Sequence, residues 1–179
     1  MNYVQISDDR IAEITEKAAA VGARIYVIRK VCIQQDRDWK DSITQGAPDT
    51  PPKYSIFTRQ VSDSYVPVST ETVEKDIILF LDPNEVRLEN VTVFAERSSL
   101  KVANPREVFA LCEHQAELAS VIEWSGVQQR YIRLVAPVPF QAEAGTFMCA
   151  VGVTPRSRIA TVDWAVNFNL EGDIYALCE

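Results

Sequence analysis

The sequence predicts an α+β fold: a single domain over residues 1–179, with an antiparallel-rich sheet of about seven to eight strands, curved or split, and two helices on one face. Three observations lead there. From Ile159 to Leu170 the chain alternates without a break. Ala160, Val162, Trp164, Val166, Phe168 and Leu170 make one row, and Thr161, Asp163, Asn167 and Asn169 most of the other. Such period-two patterning marks a strand with one face on a core and one in water, which favours antiparallel pairing. Strands also come in runs between helices, which favours α+β over a doubly wound sheet. Finally, 179 residues with 47% apolar content suffice for one full core.

The elements follow in order. Ser7 is a natural N-cap, with Asp8 and Asp9 in the first turn where the helix dipole favours negative charge. Ile11, Ile14, Ala18 and Val21 recur at helical spacing, and Gly22 stops the helix. Arg24 to Ile33 and Lys53 to Gln60 read as strands. The apolar run from Asp76 to Asp82 belongs in the sheet centre. Turn chemistry at Asp82-Pro83-Asn84-Glu85 then leads to a strand over Val86 to Phe94, so the two form a hairpin with a bulge between Leu88 and Val91.

The second helix starts at Asn104, with Pro105 in the first helical position and Glu107 completing a capping box. Its stripe of Val108, Leu111, Cys112, Ala119 and Ile122 runs to about Gly126. Strands over Arg130 to Ala136, Thr146 to Val153 and from Ile159 follow. A turn at Glu171-Gly172-Asp173 enters a last strand, Ile174 to Cys178.

Charge and composition narrow the function. Residues 61–128 hold five Lys/Arg against twelve Asp/Glu, so this stretch accounts for the whole net charge of −7. That sign argues against direct nucleic acid binding and suits a basic protein partner. No apolar run approaches the ~20 residues of a membrane helix, and the first residues lack the pattern of a secretory signal. Cys32, Cys112, Cys149 and Cys178 are widely spaced and read as thiols, not a disulfide framework. A soluble cytoplasmic protein is therefore expected. No phosphate-cradling loop, nucleophile elbow or metal-ligand spacing is present, so no cofactor and no metal is expected.

Three groups of residues remain as site candidates. Residues 35–52 lack apolar periodicity and contain Gly46, Pro48, Pro51 and Pro52, so a long Pro-containing loop is expected. Within it Asp36, Arg37 and Asp38 surround Trp39, a residue type over-represented among interface hot spots; the alternative is that Trp39 folds back onto the sheet. His114, the only histidine, lies one turn before Glu117, and a His–carboxylate pair can serve as a general base. Pairing with a neighbour at a surface boundary is the plainer reading. The polar row of the Ile159 strand presents Thr161, Asp163 and Asn167, to which Arg130, Arg133, Arg156 and Arg158 could be partners. Asp163 stands out because Asp is disfavoured in strands.

These features favour a non-enzymatic protein-interaction module, of an inhibitor, immunity or adaptor type, acting through an acidic surface and the Trp39 loop. The alternative is a small ligand-binding domain or cofactor-independent enzyme using the polar sheet face, with Asp163 and His114 as acid and base. A third reading, a structural subunit, rests on the Pro-bearing apolar segments Val66-Pro67-Val68 and Pro137-Val138-Pro139-Phe140, and leaves a homo-oligomer open.

Overall fold

The computed structural model describes residues 2–52, 70–82, 88–128, 130–142, 145–168 and 172–179. Among the described residues, eight strands form one mixed, open sheet: β1 (Asn2–Val4), β2 (Arg24–Gln34), β3 (Thr72–Leu81), β4 (Lys101–Val102), β5 (Ile132–Ala142), β6 (Gly145–Val153), β7 (Arg158–Trp164) and β8 (Asp173–Cys178). β3 is flanked along its length by antiparallel β2. Its other side is shared by parallel β1 at Val73–Lys75 and antiparallel β8 at Ile78–Phe80. β8 in turn pairs with β4 and, in parallel, with β5. The hairpins β5–β6 and β6–β7 complete the sheet. The uninterrupted apolar run of β3 is thus central, as its composition requires, and antiparallel pairs outnumber parallel ones.

The expected α+β class holds, but the helices lie differently. Among the described residues there are five, on both faces of the sheet. On the first face α2 (Trp39–Gly46), α4 (Pro105–Leu111) and α5 (Gln115–Ser125) pack over Ile28, Ile77, Leu134 and Val151. On the second, α1 (Asp8–Ala20) and α3 (Leu88–Arg97) pack over Ile78, Phe80, Tyr175 and Leu177. Most of the sheet is consequently covered on both sides. The continuous apolar run of β3 is the sequence mark of that double burial.

Four element expectations need correction. The 35–52 segment is not a structureless loop, because Asp38 caps α2 by accepting from the Lys40 N–H at 2.8 Å. Trp39, Ile43 and Gly46 bury one face of that short helix. Leu88 to Phe94 is helical: the shift of phase at Val91 is the i, i+3, i+7 spacing of Leu88, Val91 and Ala95, not a bulge, so the expected hairpin with β3 does not form there. The helix from Pro105 breaks at Cys112–His114 into α4 and α5, because the apolar stripe slips in register. Leu118, Val121 and Ile122 go inside while Ala119 stays exposed. The alternating strand ends at Trp164, where a 3-10 turn over Ala165–Asn167 begins and leaves Val166 78% exposed. The capping box at Asn104 and Glu107 forms as expected. The expected strand over 53–60, the segment 66–68, most of the 82–85 turn and Asn169 lie outside the described residues.

Candidate functional site

Two polar clusters share the second face of the sheet. The first surrounds Asp76 at the β1–β2–β3 junction. A bulge in β2 places Lys30 in the left-handed region (φ 54°) and turns its N–H onto Asp76 Oδ1 at 3.1 Å. Tyr3 donates its hydroxyl to the same oxygen at 2.7 Å. Oδ2 accepts from the Ile6 N–H at 3.0 Å and from Arg29 Nη1 at 2.7 Å. Burial alone would raise the Asp76 pKa; these hydrogen bonds outweigh it and hold the group below its ordinary value. Every route to the carboxylate is occupied. The cluster fastens the N-terminal strand to the sheet.

The second cluster lies at the other wing, where β5, β6 and β7 line a cavity of about 430 Å³. Strand alternation sends Arg133, Gly152, Thr161 and Asp163 to this face, with Tyr131 just ahead of β5. Arg133 is 8% exposed and clamped. Its Nε and Nη2 meet the two carboxylate oxygens of Asp173 at 2.5 and 2.7 Å, and Nη2 also donates to the Asn167 carbonyl at 2.9 Å. The Phe168 ring lies 4.5 Å from the guanidinium carbon. Burial would lower the Arg133 pKa, but the Asp173 pair overcomes it, so the side chain is a permanent cation.

Asp163 is clamped too. Its Oδ1 accepts from the Trp164 N–H at 2.8 Å and from Asn167 Nδ2 at 2.7 Å. What remains open is one atom of each: Arg133 Nη1 and Asp163 Oδ2 face each other at 3.7 Å, beyond hydrogen-bond distance. Neither has a hydrogen-bond partner among the described residues. The Tyr131 ring, 41% exposed, leans on the backbone of Gly152. A Cβ there would come within 2.8 Å of Tyr131 Oη, so glycine makes room for the ring. Thr154, Ser157 and Ile159 close the cavity at the β6–β7 turn.

This is where the expected polar row belongs: Thr161 and Asp163 line the cavity, and Asn167 braces both charged residues. The other candidates lie elsewhere. Trp39 is 6% exposed, set edge-on against Phe109 at 5.2 Å with the Arg106 guanidinium 5.6 Å from its ring, so it is a core residue and not a surface anchor. Asp38 is the α2 cap, Arg37 pairs with Glu113, and Asp36 is exposed beside them. His114 is the N-cap residue of α5 and Glu117 sits in its first turn, on the helical layer over the first face. Asp163 projects from the second face, so the expected acid–base convergence of Asp163 with His114 does not occur.

Sequence reasoning flagged Arg133 but missed Tyr131, Gly152 and Asp173. The run at Glu171-Gly172-Asp173 reads as a turn, and nothing local marks Asp173 as the partner of an arginine 40 residues away. Three of the four thiols are poor nucleophiles: burial pushes Cys149 and Cys178 up to about 12 and raises Cys112 as well. Among the described residues no three His, Cys, Asp or Glu side chains group to hold a metal, and no helix is long and apolar enough to cross a membrane. Compared with known family models, curated proteins and solved structures, the chain matches none.

Proposed function

We propose that this protein is a non-enzymatic binding module that holds a small polar molecule in the β5–β7 cavity. The observation that carries this reading is the open pair, a rigid donor at Arg133 Nη1 and a rigid acceptor at Asp163 Oδ2 in one cavity wall. Ligand sites combine a concave surface, an aromatic wall and a few well-placed polar groups, and this cavity has all three. Arg133 and Asp163 are held by their neighbours before any ligand arrives, which lowers the entropic cost of binding. An interaction with a protein partner through residues 36–39 loses support once Trp39 is inside the core.

The test is a screen of small polar metabolites against isotope-labelled protein by amide NMR. Binders are expected to shift Gly152, Thr161 and Asp163, and to lose that effect in Gly152→Ala, whose methyl group displaces the Tyr131 ring. A screen in which no compound perturbs these amides refutes the reading.

A further inference from the structure

We infer that the molecule this cavity takes is an uncharged polyhydroxy ring, a saccharide, bound by adjacent hydroxyls between Arg133 and Asp163; the inference rests on the binding role proposed above. It begins with charge. Arg133 is a single cation held between two carboxylates, Asp173 at 2.5 Å and Asp163 at 3.7 Å. No lysine lines the cavity. A phosphate or carboxylate brought to Nη1 would sit against Asp163, and an ammonium group brought to Oδ2 would sit against Arg133. A donor and an acceptor fixed side by side are both satisfied by a neutral partner that offers the complementary pair, whereas an ion of either sign satisfies only one of them.

A hydroxyl group is both donor and acceptor. Two neighbouring hydroxyls on a ring can satisfy the site together, one accepting from Nη1 and the other donating to Oδ2. The 3.7 Å gap suits two separate oxygens better than the edge of an amide or nucleobase, where donor and acceptor sit closer on one rigid plane. The rest of the cavity agrees. Thr161 Oγ1 reaches only the Ala150 carbonyl, at 3.4 Å, and so has capacity to spare. The exposed Tyr131 ring supplies a flat apolar wall for the C–H face of a sugar.

The experiment titrates the full chain with neutral mono- and disaccharides, their uronic acid, phosphate and amino analogues, and nucleosides, reading the Gly152, Thr161 and Asp163 amides. At least one neutral sugar is expected to shift them and to bind about tenfold more tightly than its charged analogues. Asp163→Asn and Thr161→Val should each weaken it with unfolding midpoints preserved; the second variant keeps the test sound if the first perturbs folding. Tighter binding of a charged analogue or a nucleoside at these amides would overturn the saccharide assignment while leaving the binding role intact. Silence of these amides toward every class would overturn both.

Discussion

Asp76 and Asp163 are carboxylates on the same face of the same sheet, and the difference between them separates structure from site. Asp76 is 1% exposed, and four donors from three segments close it off. Asp163 has one oxygen fixed by two donors and the other turned toward a cavity. A buried polar group costs free energy unless it is satisfied, so a full set of partners is what folding alone would select. Asp163 Oδ2 has only a long ion pair with Arg133, at 3.7 Å, and so keeps hydrogen-bonding capacity beside a cavity. That is what a ligand site requires.

The strongest way to break this comparison is at Asp76. Asp76→Ala leaves two backbone N–H groups and the Tyr3 hydroxyl without their acceptor, takes one of its partners from the Arg29 guanidinium, and should cost about 3–5 kcal/mol in chemical unfolding. The pH dependence has a definite sign. The folded-state pKa lies below the ordinary 3.8, so the ionised group stabilises the fold above that value, and the stabilisation is lost as pH falls through the depressed one. The difference in stability between wild type and Asp76→Asn should therefore be largest near neutrality and shrink in acid. Equal differences at pH 7 and pH 3 would show that the carboxylate charge is not what holds the cluster.

A smaller effect is expected at the α2–α4 contact, on the opposite face. A Cβ at Gly46 would lie 2.4 Å from the Phe109 carbonyl oxygen, a backbone atom that cannot swing aside. Gly46→Ala should thus destabilise by about 1–3 kcal/mol. Thermal unfolding unchanged by the substitution would mean that α2 is not docked as described.

That contact also marks where the sequence stops being legible. The helix caps at Ser7 and Asn104 and the central β3 run depend on near neighbours, and each could be read directly. α2 is short and carries Gly46, a residue that disfavours helices, at the close approach to Phe109, so the features that dock it also disguise it. At the candidate site the pattern was similar. The polar row of β7 exposed Thr161 and Asp163 through simple alternation. The Asp173 clamp and the Tyr131–Gly152 contact arise from strand pairing: Arg133 lies opposite Asp173 on one side and Gly152 on the other, a register that only the assembled sheet defines.

The smallest stability effect should come from the residue with the largest effect on binding. In Asp163→Asn the amide oxygen can still accept from the Trp164 N–H and Asn167, so the backbone turn after β7 keeps its support. What disappears is a charge facing Arg133 across 3.7 Å in a half-exposed setting, where ion pairs contribute little. The unfolding free energy should change by no more than about 0.5 kcal/mol. Beside the loss expected at Asp76, that near-neutrality sharpens the contrast, because a carboxylate dispensable to the fold is free to serve a ligand. A loss of several kcal/mol would instead place Asp163 with Asp76, as one more brace of the sheet.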